Sequence, residues 1–301
     1  MDAHSLQDQF GIPGALSFDE TASGLLRANI STPSAAATLY LQGAHLTHWQ
    51  PTGHRPVLFT SGRSDFAPGK AIRGGIPVIF PWFADRKGAA GPSHGFARTQ
   101  EWQLAFAAIA GDDLHLTLTL GPSAQSRRLG YDRFRLACTL AIGRTLALQL
   151  AVANDSDSPL IFEEALHTYF AVEDVRGASI SGLEGSAYLD KVDAMRRKQQ
   201  TDATIRFTGR RDEVHLNTQS TCVLTDEGGK RSIAVEKMGS NSTIVWNPWA
   251  ELAATLPDME ADGWQRMVCI ETANVAENAI TLAPGESHAM RVAMSVEALK
   301  S

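Results

Sequence analysis

The sequence predicts an all-β protein built from large antiparallel sheets with a few short helices. Two observations carry this. Four separate stretches alternate apolar and polar residues with a period of two, the pattern of a strand with one face in a core and the other in water. Turn-forming residues separate these stretches, and helical periodicity is scarce.

Leu114, Leu116, Leu118 and Leu120 alternate with His115, Thr117 and Thr119. Phe134, Leu136, Cys138 and Leu140 make a second such face. Leu146, Leu148, Leu150 and Val152 make a third, closed by the turn Asn154-Asp155-Ser156-Asp157. After Pro284-Gly285, His288, Met290, Val292, Met294 and Val296 make a fourth. Residues 161–170 read as a further strand, with Ile161, Glu163, Ala165, His167 and Tyr169 on one face and Glu164 on the other. On that reading Glu163 orients or charges His167. Residues 267–275 read as another, with Met267, Cys269, Glu271, Ala273 and Val275 sharing a face. A helix of about two turns is expected over 249–256, after Asn247-Pro248. Residues 192–200 fit either a short helix or a solvated charged loop. No repeat, low-complexity tract or linker interrupts the chain, so one domain over 1–301 is expected.

The composition excludes some classes of protein. With 44% hydrophobic and 20% charged residues the chain has an ordinary globular balance. A net charge of −6 argues against a nucleic-acid partner, which needs a basic face. The start, Met1-Asp2-Ala3-His4-Ser5, carries no secretory signal, and no apolar run is long enough to span a membrane. Cys138, Cys222 and Cys269 form no Cys-x-x-Cys pair; reduced thiols in a cytoplasmic protein are expected. Cys269 reads as a packing residue, since no basic neighbour activates it.

The segment 69–95 is rich in glycine and proline and also holds Arg73, Trp82, Phe83, Arg86, Lys87 and His94, with Arg98 just beyond. It is either an exposed loop with solvated charges or the wall of a pocket for an anionic, ring-shaped ligand. Arginine suits phosphate through its planar fork, and aromatic faces such as Trp82 suit the apolar faces of a sugar ring. The glycines lack the lysine and Ser/Thr of a nucleotide-binding loop.

His167 and Glu271 each stand alone in an apolar or small-residue run. His167 is either a hydrogen-bonded core histidine or a general acid; Glu271 is either paired to an arginine or a general base. His45 and His48 lie three apart on an expected strand, hence on opposite faces, which argues against shared metal ligation. His54 and His115 are expected to be solvated.

At this point a family resemblance appears. The strings His167–Phe170, Val245–Trp249 and Cys269–Val275 resemble the aldose 1-epimerase superfamily. Arg73-Gly74-Gly75-Ile76-Pro77 and His94-Gly95-Phe96-Ala97-Arg98 resemble its hexose-6-phosphate branch. The resemblance runs from about Leu39 to Val296, taken as the core over 39–296. It implies a galactose-mutarotase-like β-supersandwich, no metal and no organic cofactor. It implies that His167 and Glu271 are the catalytic acid and base. It implies that Arg73 and Arg98 hold the substrate phosphate and that His94 and Asp190 contact the sugar. Some relatives carry glutamine just before the second histidine; here the shorter Ser93 stands there. The implied activity is interconversion of α and β anomers of a hexose 6-phosphate. The expected partner is thus a small sugar phosphate, with no nucleic acid or membrane, acted on by a monomer. Two rivals stay open: an aldose 1-epimerase for free sugars, and a non-catalytic carbohydrate-binding β-sandwich.

Overall fold

The structure, a computed structural model, describes residues 1–299. Its strands form sheets of nine, eight, four and two strands, and every pairing between these strands is antiparallel. The nine-stranded sheet holds the four alternating stretches. Asp113–Leu120, Phe134–Ile142, Leu146–Asn154 and Ser287–Ala298 are all members, each with one buried face over most of its length. The period of two exists because water wets the other face.

The eight-stranded sheet behaves differently. Its central strand Met267–Asn274 is buried at every residue, and its neighbour Ser242–Asn247 at all but Trp246. One face packs toward the nine-stranded sheet, where Asn274 meets His288 and Met290. The other face carries the candidate site. The same apolar core takes in Leu6, Leu16, Phe18 and Ile30, ahead of residue 39.

Residues 161–170 are three short strands in place of the one expected. Leu160–Phe162 pairs with Ile280–Leu282, while Glu164–Leu166 and Tyr169–Ala171 both pair with Met267–Asn274. The break falls at His167, whose N–H donates to the Pro77 carbonyl at 3.0 Å. Residues 192–200 are a turn followed by a strand: Arg196–Gln199 pairs with Ala187–Asp190. The turn between them is held by the Asp190 carboxylate, which accepts from the Val192 and Asp193 N–H groups and pairs with Lys198. Opposite charges across the hairpin favour the strand pairing over a helix. The expected helix begins at Trp249 and ends at Ala253. Two helices carry no periodicity that flagged them, Ala3–Phe10 and Ala124–Arg128. Among the described residues no helix is long and apolar enough to cross a membrane.

Candidate active site

Strand register brings the two isolated titratable residues together. Leu166 faces Thr272 and Tyr169 faces Cys269, so the intervening register sets His167 opposite Glu271. Residues opposite each other on neighbouring strands share a face and lie in side-chain contact. His167 Nε2 stands 3.5 Å from Glu271 Oε1. The pair is nearly dry, with His167 6% exposed and Glu271 1%. The imidazole stacks on Tyr169, with ring centres 4.7 Å apart and planes 8° apart, and meets Trp246 edge-on.

The arginine-bearing segments reach this pair through Tyr169 and His94. Gly74, at φ +113°, lets the Arg73 turn pass against the Phe59–Thr60 backbone, where a Cβ would overlap. Gly95, at φ +70°, does the same against the Phe80 carbonyl and sets His94 and Arg98 on either side of that approach. The His45 ring hydrogen-bonds the Gly74 carbonyl at 2.7 Å and steadies the first turn. Arg73 donates to both Asp258 oxygens through Nε and Nη2 and gives Nη1 to the Tyr169 hydroxyl at 3.2 Å. Arg98 donates from Nη2 to the Ser93 carbonyl at 2.8 Å, and its Nε is buried without a partner. Ser93 thus contributes a main-chain acceptor here. The His94 ring lies edge-on to Phe83 and 5.5 Å from the His167 ring.

Electrostatics follow from this packing. Burial pushes the Glu271 carboxyl well above its ordinary range; Lys191 opposes this and Asp212 adds to it. Burial holds the His167 imidazole well below its ordinary value, with His94, Arg98 and Arg73 reinforcing it. His94 is held down by burial and then by Arg98, Lys191 and Arg73. Burial thus favours the neutral form of both groups. Such a pair can deliver a proton at one end and accept one at the other. Glu271 Oε2, His167 Nδ1 and Arg98 Nε are all buried without hydrogen-bond partners. Buried polar atoms without partners are uncommon in folded proteins, and these three belong to the pair and its arginine cluster.

The structure corrects several expectations. Trp82 stands outside this cluster: its indole is 7% exposed, packs on Phe96 and Tyr131, and donates to the Pro92 carbonyl. Arg86 lies over that indole and is bound to the Ala90 and Leu129 carbonyls, so it reaches no pocket beside His167. Asp190 is occupied by its own turn and Lys198. The carboxylate acting on Glu271 is Asp212, paired to Lys191 at 3.1 Å, and Lys191 also lies over the Phe83 ring. Glu163 does not reach His167; its oxygens accept from the Phe83 and Ala276 N–H groups. Glu164 points the other way, as expected, and meets His288. His45 is fully buried, and His54 and His115 are half-buried. Cys269 is a buried packing thiol whose pKa burial pushes up. Asp258, Asp212, Lys191 and Trp246 were not assigned roles from sequence. Only Trp246 carried a signal, its place within the string 245–249.

Comparisons with known proteins bear on the family and the fold. The aldose 1-epimerase family model matches residues 28–295. A relative from Escherichia coli K12 named "Putative glucose-6-phosphate 1-epimerase" is 36% identical over 82% of this chain and 83% of its own length. One of the same name from Cenchrus ciliaris is 31% identical over 92% and 86%. The crystal structure of a Salmonella typhimurium protein described as a "putative mutarotase" superposes with a TM-score of 0.90, at 30% identity, over 96% of both chains. At 14% identity and a TM-score of 0.68, a galactose mutarotase-like protein from Clostridium acetobutylicum shares the fold, over 94% of this chain and 98% of its own. The chain belongs to the aldose 1-epimerase family.

Proposed function

We propose that this protein is an isomerase that interconverts the α and β anomers of a hexose 6-phosphate, D-glucose 6-phosphate in the first instance. One observation carries the reading: a buried imidazole–carboxyl pair lies within electrostatic reach of two arginines, one of them with an unpartnered Nε. The name borne by the Escherichia coli relative supports the same substrate class.

The reaction opens and recloses the sugar ring. A base takes the proton of the anomeric hydroxyl while an acid protonates the ring oxygen. The aldehyde turns about its C1–C2 bond and recloses from the other face with the roles exchanged. Glu271 acts as the base and His167 as the acid in ring opening. Ring opening therefore needs a proton moved from the carboxyl to the imidazole, against what burial favours in both. Positioned proton transfer of this kind contributes about 10²–10⁴-fold. Arg73 and Arg98 hold the phosphate, His94 contacts the sugar, and Asp212 and Lys191 set the charge around Glu271. The reduced, buried thiols fit a cytoplasmic setting.

A second reading, exchange on free sugars, draws support from Asp258, which already satisfies one edge of Arg73. Anomer-exchange NMR on glucose 6-phosphate and on free glucose decides between them. Faster exchange on the phosphorylated sugar supports the proposal; a preference for free glucose replaces it with the second reading.

A further inference from the structure

The two arginines are not equivalent. Arg73 is balanced by Asp258, at 3.0 Å. Arg98 donates to a main-chain carbonyl, and its buried Nε faces no acceptor. Of their two positive charges one therefore has no carboxylate hydrogen-bonded to it. The cluster also touches the acid. Tyr169 receives a hydrogen bond from Arg73 on its hydroxyl and lies flat against His167 with its ring.

Every element packed around His167 contributes to its charge state. His94 and Arg98 face it from the segment 94–98, and Arg73 from the turn before Gly74. Tyr169 faces it from the adjoining strand and Trp246, which is uncharged, from Ser242–Asn247. Glu271 stands opposite it. The positive groups and the dry surroundings all disfavour an imidazolium. Glu271 favours one only when ionised. The acid that ring opening requires is thus suppressed by the residues that read the phosphate. A dianion resting on the two guanidiniums turns the local charge from net positive to net negative.

We propose that the oxyanion of the substrate is an activator as well as an anchor: seated on Arg73 and Arg98, it arms His167 as proton donor, so that a free oxyanion switches on anomer exchange of sugars that carry no phosphate. This rests on the hexose-phosphate reading above. The proton delivered to the ring oxygen comes from His167, the proton of the anomeric hydroxyl goes to Glu271, and the oxyanion is not consumed. The added activity is therefore exchange of an unphosphorylated aldopentose, dependent on a small dianion held in the phosphate site.

The test uses α-D-xylose, which lacks the phosphorylated carbon of glucose 6-phosphate, and phosphite as the free oxyanion. Xylose mutarotation is followed by polarimetry with and without phosphite. The enzyme-free rate at each phosphite concentration is subtracted, because phosphite itself catalyses mutarotation. Phosphite should raise kcat/KM for xylose by about tenfold or more, the change in imidazolium fraction that one pH unit represents. Activation should saturate over the concentrations at which phosphite competitively inhibits glucose 6-phosphate turnover, and Arg98→Ala should abolish it. In the wild-type protein, NMR titration of the His167 ring should show protonation moving to higher pH when phosphite is present. If glucose 6-phosphate is turned over but phosphite leaves both xylose turnover and the His167 titration unchanged, the phosphate is an anchor only and the inference fails. If glucose 6-phosphate is not turned over at all, the hexose-phosphate reading itself falls.

Discussion

Replacing Arg98 with alanine should weaken use of a hexose phosphate selectively while sparing the fold. The guanidinium gives one hydrogen bond, from Nη2 to the Ser93 carbonyl, and buries its Nε without a partner. It thus keeps donors for a phosphate, the arrangement in which an arginine fork binds most strongly. Hydrogen bonds to charged groups are worth about 1.5–3 kcal/mol each, so losing one lowers kcat/KM by about one to two orders of magnitude. Free glucose has no phosphate to lose and should change far less. Stability should hold or rise, because removing an unpaired guanidinium orphans no carboxylate. Arg73→Ala differs, since it strands Asp258 and the Tyr169 hydroxyl, and should cost stability as well. The assay is kcat/KM for glucose 6-phosphate and glucose in wild type and Arg98→Ala, with Tm from calorimetry. An equal fall for both sugars together with a lower Tm would refute the reasoning, for Arg98 would then be supporting the fold.

The other predictions follow from the same geometry. His167→Ala and Glu271→Gln should each remove most anomer exchange, by about 10²–10⁴-fold, with the near-UV circular dichroism unchanged; near-wild-type rates in either variant would remove that residue from the chemistry. Added EDTA should leave exchange rates unchanged, since among the described residues no three His, Cys, Asp or Glu side chains converge as ligands; loss in EDTA restored by one divalent metal would contradict this. His45 is held neutral by burial, its pKa pushed from 6.5 to about 4, so the unfolded chain binds a proton that the folded chain does not. Its stability contribution is full above 6.5 and falls as pH drops, by about 1.4 kcal/mol per pH unit until near 4. Urea midpoints measured across that range should fall in wild type and fall less in His45→Gln; identical slopes would mean that this histidine does not set the acid limit.

What could be read from the sequence depended on where water lies. Leu114 to Leu120 announce their strand because one face is wet and one dry, and its neighbours Phe134–Ile142 and Leu146–Asn154 share that property. Met267–Asn274 is dry on both faces, so period two is lost and only the odd charge of Glu271 stands out. That same expense of a buried charge made His167 visible. Their meeting depended on strand register, which no local pattern encodes. Residues 192–200 read as a helix or a solvated loop for a related reason: the Lys198 charge looks solvated along the chain but pairs with Asp190 across a hairpin. Trp82 and Trp246 are alike in sequence, and only tertiary packing decides that the first is sealed against Tyr131 while the second reaches His167. The helix Ala3–Phe10 had little beyond its Asp2 cap to announce it.

On the proposed function, His167 and Glu271 exchange the anomers of a sugar held by its phosphate. The most direct measurement is two-dimensional NMR exchange spectroscopy on glucose 6-phosphate at anomeric equilibrium, with wild type and Glu271→Gln at equal concentration. Wild type should produce cross-peaks between the α and β anomeric protons well above the uncatalysed rate, and Glu271→Gln should return them close to it. Equal cross-peaks from both proteins, or none from wild type, would contradict the account.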